Sequence, residues 1–219
     1  EETVRLVKAT GGDMASLHPL DVGESKNIRN WIDFAVKNCG RIDILYNNAG
    51  APQFAPLEDM TEEQWDSAIN TNFLSVVRLS KEFIPIMKKN KYGRIVAITS
   101  VSAKQPLDNL VLSNSTRLAV VGFLKTLANE VGRDNILVNV VMPGTTNTER
   151  LQQVIHGWAK AENKSIEEII QTRASQIPVG RFGEPEELGS FVSYLVSGKN
   201  TYITGQVIPV DGGFIKSSL

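Results

Sequence analysis

The stretch Arg94-Ile95-Val96-Ala97-Ile98-Thr99 is the strongest constraint on the fold. Its continuous apolar run is too short for a helix of ordinary length and carries no polar alternation, so it reads as a strand buried on both faces. Further strand candidates are Met14–Val22, Ile42–Asn47, Ile136–Met142 and Gln206–Val210. Between them lie helical patterns. Ser25–Cys39 places Ile28, Trp31, Ile32 and Ala35 on one face and stops at Gly40. Thr61–Lys89 enters through the capping-box pattern Thr61-x-x-Gln64 and carries Pro85, which is expected to bend or interrupt it. Asn109–Val131, Thr148–Ala161, Ser165–Gln176 and Pro185–Val196 complete the set, and Glu1–Gly12 reads as the end of an amphipathic helix. Buried strands alternating with helices imply one α/β domain over residues 1–219, a doubly wound parallel sheet with helices on both faces.

Bulk properties narrow the function classes. A net charge of -1 with interspersed acids and bases gives no electrostatic case for nucleic acid or an anionic membrane. No apolar run reaches the ~20 residues that span a bilayer. Cys39 is the only cysteine, so no intrachain disulfide forms, and a reducing, cytoplasmic compartment is the expectation. No metal-ligand spacing stands out.

In open parallel sheets, ligands bind at the carboxyl ends of the strands. Here those ends read Asp21-Val22, Asn47-Asn48-Ala49-Gly50, Thr99-Ser100, Pro143-Gly144 and Asp211-Gly212-Gly213. Glycine and asparagine punctuate turns everywhere. Five small or polar strand ends in succession point instead to a ligand cleft.

These motifs, in this order, resemble the short-chain dehydrogenase/reductase family, and in particular its 3-oxoacyl-acyl-carrier-protein reductases. Asn47-Asn48-Ala49-Gly50 is similar to the family's Asn-Asn-Ala-Gly tetrad. Pro178–Gly183, Pro185-Glu186-Glu187 and Ile203–Gln206 running into Asp211-Gly212-Gly213 are similar to its C-terminal signatures. The resemblance implies a Rossmann-like fold, NAD or NADP as cofactor, a small carbonyl or alcohol substrate and a homotetramer built on Thr61–Lys89 and Asn109–Val131. It gives Asp21 and Val22 to the adenine end of the cofactor, and Asn48, Ala49 and Gly50 to its ribose. It gives Pro143, Gly144 and Thr148 to the nicotinamide carboxamide. Asn72 falls where the family kinks a long helix and holds a water in its proton relay. Ser100 falls where it orients the substrate, and residues 148–183 cover the substrate.

Two departures qualify the resemblance. The family's catalytic tyrosine stands thirteen residues after its serine, with a lysine four residues further on. This chain has Ser113 and Arg117 at those positions. Their i, i+4 spacing keeps both on one helix face. A serine hydroxyl is far less acidic than a phenol, and arginine does not shuttle protons. Arg117 can still hold a ribose or stabilise an oxyanion. His156, in the covering segment, is a surface residue or a proton donor, and the surface reading is preferred. The alternative to an oxidoreductase with an atypical relay is a catalytically impaired homologue, acting as a nucleotide-binding or regulatory subunit. The second departure is at the front: no glycine-rich strand-to-helix turn precedes Asp21. The expectation is that the polypeptide continues upstream of Glu1 by about one βαβ unit of ~30 or more residues.

Overall fold

In the computed structural model, described over residues 2–16, 20–50 and 55–218, a parallel sheet runs β1 (Ile44–Asn47), β2 (Gly93–Ile98), β3 (Ile136–Pro143), β4 (Val207–Val210), in that spatial order. Ile95, Val96 and Ala97 of β2 and Val138, Val140 and Val141 of β3 are almost wholly buried, as expected for strands covered on both faces. Helices α2 (Ser25–Cys39), α4 (Ser75–Asn90) and α5 (Val111–Val131) pack on one face. Ile28, Phe83, Met87 and Leu124 meet Ile95, Val138 and Met142 there. Helix α8 (Pro185–Val196) covers the other face, with Val192 and Leu195 against Val96 and Val141. The result is the expected three-layer α/β arrangement.

The long helix expected over Thr61–Lys89 is present in three pieces. Helix α3 (Glu62–Ala68) starts at the capping box: Thr61 Oγ1 accepts from Gln64 N–H at 3.3 Å, and Gln64 Oε1 accepts from Thr61 N–H at 2.8 Å. A π-helical turn, Ile69–Leu74, follows, and α4 continues from Ser75. Pro85 does not interrupt α4, which runs through to Asn90. The carbonyl deprived of its partner belongs to Lys81, an exposed residue that water can satisfy.

Among the described residues, the strand expected over Met14–Val22 is not formed. Residues 13–16 and 20–24 carry no strand, and 17–19, with His18, lie outside the described residues. The cause is a missing neighbour: β1 pairs with β2 on one side and, among the described residues, with no strand on the other. Val22 therefore lies in a turn before α2 rather than at a strand end. The short helix α1 (Glu2–Ala9) buries none of its residues.

Helices α6 (Glu149–Glu162) and α7 (Ile166–Ala174) stand apart from both layers. They share a small core of their own, Leu151, Ile155 and Ile169, with Trp158 and Phe182 packed against it. The same two helices were expected, and each begins at a side-chain cap, Thr148 and Ser165.

Candidate active site

The carboxyl ends of β1, β2 and β3 open onto the start of α5, and the helix supplies the one cationic side chain described there. Arg117 lies one turn after Ser113, and its Nε donates to Ser113 Oγ at 3.1 Å. Its Nη1 donates to the carbonyl oxygens of Thr99 at 2.6 Å and Ile98 at 3.2 Å, at the end of β2. Three of the five guanidinium protons are thereby used. The two on Nη2 have no partner among the described residues. Nη2 sits beside Gly50, 3.6 Å from where a Cβ of that residue would stand. Burial pushes the Arg117 guanidinium below its ordinary value. Its partners are a hydroxyl and two carbonyls, so among the described residues the cation has no carboxylate against it.

Gly50 is required by this geometry. Its φ of 145° lies in a region that side chains rarely adopt, and a Cβ there would stand 2.6 Å from Asn72 Oδ1. Asn72 is in the π-helical turn and is buried. Turns of this wider kind are frequent at functional sites. Asn72 Nδ2 donates to Thr116 Oγ1 at 3.0 Å, and Thr116 Oγ1 donates to the Leu112 carbonyl at 2.6 Å. The kink expected at Asn72 is thus a π-turn docked onto α5.

Ser100 accepts, at Oγ, the backbone N–H of Ser102 at 3.1 Å. Its own O–H proton is left to donate outward. Ser113 is turned inward: it is only 4% exposed, and its Oγ lies 3.2 Å from Ser102 Oγ. Asn72, Ser100, Ser113 and Arg117, the four residues expected to carry chemistry, are brought to one place. Two residues of the network, Ser102 and Thr116, escaped sequence reasoning. Thr116 was within reach, because it shares with Ser113 and Arg117 the helix face that the i, i+4 spacing defines. Ser102 was not, because nothing in the sequence aims its hydroxyl at Ser113.

The remaining expected residues are distributed around this centre. Pro143 ends β3 and Gly144 follows it, with N–H bonded to the Val210 carbonyl at 3.0 Å. A Cβ at Gly144 would stand 2.8 Å from Asp211 Cα, so that floor is backbone only. Thr148 is the N-cap of α6: its Oγ1 accepts from Leu151 N–H at 3.3 Å and keeps its own proton to donate. Asn48 and Ala49 are exposed beyond β1. Asp21 lies farther along, where its Oδ1 accepts the Gly23 N–H at 2.8 Å and closes a turn beside Thr71. His156 is exposed, in keeping with the surface reading. No cluster of metal-ligating side chains occurs among the described residues, and no described helix is long and apolar enough to cross a membrane.

These features fit a dinucleotide cofactor: a cation with two donors unengaged among the described residues beside Gly50, and a backbone-lined floor at Gly144. Comparison with known proteins bears on the same point. A family described as enoyl-(acyl carrier protein) reductase matches residues 1–215. The 3-oxoacyl-acyl-carrier-protein reductase FabG of Thermotoga maritima is 35% identical over 212 residues, 96% of this chain and 82% of that protein. The L-sorbose reductase of Gluconobacter frateurii, solved with NADPH and L-sorbose, superposes with a TM-score of 0.92 at 31% identity, covering 99% of this chain and 82% of that one. A 7α-hydroxysteroid dehydrogenase solved with NADH and 7-oxo glycochenodeoxycholic acid gives a TM-score of 0.86 at 28% identity, covering 99% of this chain and 80% of that one.

Proposed function

The chain belongs to the short-chain dehydrogenase/reductase family, and we propose that it is an NAD(P)-dependent oxidoreductase with an atypical proton relay, reducing the ketone of a 3-oxoacyl or related substrate or oxidising the matching alcohol. The observation that carries this reading is Arg117, held by Ser113, Thr99 and Ile98 with Nη2 unengaged beside Gly50.

When bound, a reduced nicotinamide supplies the hydride for such a reaction. The chain's own residues have three tasks. Pro143, Gly144 and Thr148 hold the carboxamide edge, the last through its free hydroxyl proton. Ser100 donates to the carbonyl oxygen, and the Ser102 N–H on its lone pair polarises that hydroxyl. Arg117 offers two protons from one nitrogen. That suits a single oxygen, a ribose hydroxyl or a developing alkoxide, rather than the two-point grip of a guanidinium on a carboxylate. Neither Arg117 nor Ser113 releases a proton readily, so water completes the alcohol, on the side of Asn72. Residues 148–183, with α6 and α7, cover the substrate in this reading. The separate small core of those helices lets them move without disturbing the sheet.

A second reading, a catalytically impaired homologue that binds nucleotide for regulation or assembly, is favoured by the burial of the Ser113 hydroxyl. Turnover separates the two. Oxidation of NADH or NADPH with a panel of acyl-thioester ketones is expected. Tight cofactor binding with no oxidation across the panel would establish the second reading.

A further inference from the structure

Ser102 makes two contacts that converge on the site. Its backbone N–H donates to Ser100 Oγ, and its own Oγ lies 3.2 Å from Ser113 Oγ. It is 2% exposed. It sits in a short 3-10 turn, Val101–Ala103, tied by Ala103 N–H to the Ser100 carbonyl at 3.0 Å and by Lys104 N–H to the Val101 carbonyl at 3.0 Å. The turn therefore fixes where the Ser102 side chain leaves the backbone. Ser113 has one further side-chain partner among the described residues, Arg117 Nε. Without Ser102, a buried hydroxyl beside a half-buried cation would keep one contact and regain its rotamers.

We propose that Ser102 is a positioning residue for this site. Through its hydroxyl it fixes Ser113, and Ser113 in turn fixes the Nε edge of Arg117. Through its N–H it takes a lone pair of Ser100, so that the Ser100 proton points outward. Either proton order between the two hydroxyls gives the same result, because each order makes one serine the support of the other. The proposal rests on the reading of Ser100 and Arg117 as the substrate-facing groups.

Ser102→Ala in the full-length protein isolates the hydroxyl, since the N–H to Ser100 remains. Turnover of a ketone substrate is expected to fall about tenfold, the worth of one buried hydrogen bond expressed in the transition state. KM for the ketone should stay within about twofold, because the Ser102 hydroxyl acts on the substrate oxygen only through Arg117 and the alkoxide that develops in the transition state. Ser102→Thr, which keeps the hydroxyl, should recover most of the rate. Unchanged turnover in the folded Ala variant, or a loss that Thr does not recover, overturns the proposal. A turnover-independent readout is the exchange of the Arg117 Nε–H with solvent, followed by NMR after 15N-arginine labelling. It should be faster in Ser102→Ala. If the wild type reduces no ketone, the hydride-transfer reading fails by itself, and this exchange rate still judges Ser102: no change in it overturns the positioning role.

Discussion

Arg117 Nη1 donates to the Thr99 carbonyl at 2.6 Å, which ties helix α5 to the end of strand β2. A lysine at this position has three protons on one atom and cannot span Ser113 Oγ and two strand carbonyls together. Arg117→Lys alone is therefore expected to lower turnover about tenfold, the size of one to two lost hydrogen bonds. Steady-state kinetics with saturating cofactor measure it, and a fully active Lys variant would show that the fork is unnecessary.

Restoring the family pair should have the opposite sign. Ser113→Tyr with Arg117→Lys reinstates a phenol tuned by an ammonium, and such paired residues are strongly non-additive. The expected gain is about 100-fold in turnover, the lower end of what a general acid contributes. Ser113 is buried and faces Ser102, so the phenol needs room. Overpacking costs ~1–3 kcal/mol, and thermal unfolding must be measured beside the rate. A folded double variant that binds cofactor yet gains nothing would show that acid loss is not limiting.

The pH dependence of the wild-type rate should lack the family's tyrosine limb. Arginine stays protonated and serine stays neutral through the working range. Burial moves Arg117 downward, yet a guanidinium starts far above the working range. The rate constant kcat should be flat between about pH 6 and 9. A sigmoidal rise or fall inside that window would reveal a titrating group that the proposed relay lacks.

Acid sensitivity has a local source at α8. Glu187 accepts from Arg181 through both oxygens, at 2.7 and 2.8 Å, and from the Glu184 backbone N–H. The Arg181 contact, first of all, holds the Glu187 carboxyl down at about 2, against an ordinary value of 4.5. A carboxylate depressed on folding adds stability that is present above 4.5 and lost as pH falls through about 2. Glu187→Gln should lower Tm at pH 7 and change it little at pH 2. An equal Tm loss at both pH values would assign the effect to something other than the charge.

The tetramer implied by the family resemblance has a surface to test. Phe73 and Phe123 contact each other edge-on, with centroids 6.4 Å apart, and together with Val77 they are half-buried within one chain. Leu118, on α5, is 56% exposed. Large exposed apolar side chains on a helix face mark association sites when they are contiguous. Light scattering at micromolar concentration should report four subunits, and Leu118→Asp should shift the mass downward. A wild-type monomer would refute the assembly.

Hydrogen exchange addresses the covering segment. Residues 148–177 should exchange faster than β2 and β3 in the free protein and slow on addition of cofactor with substrate. Identical protection in both states would remove the lid assignment.

Much of the fold was legible because the signals were redundant. Ile95, Val96 and Ala97 leave no choice but burial, and Thr61 with Gln64 announces a helix start that the hydrogen bonds bear out. The stretch Met14–Val22 misled because a strand is a property of two segments, and sequence pattern reports only one. The π-turn at Asn72 was legible as a kink through the resemblance, while its register depends on docking to Thr116. At the site, Arg117 and Ser113 were readable from helical spacing. Ser102 was not, because a hydroxyl in a short turn acquires its partner only when β2 and α5 are assembled.

The unpaired side of β1 bears on how copies of this chain behave together. Ile44 and Tyr46 point to the face that α8 leaves open, each 47% exposed. Beside them runs a line of backbone donors and acceptors with no strand against it among the described residues. An edge of this kind is a template for pairing with an extended segment, through backbone groups common to every sequence. A net charge of -1 supplies little mutual repulsion to oppose such pairing. The brake is the brevity of the edge, four residues long. A segment pairing along this edge would cover both the backbone line and the exposed side chains of Ile44 and Tyr46.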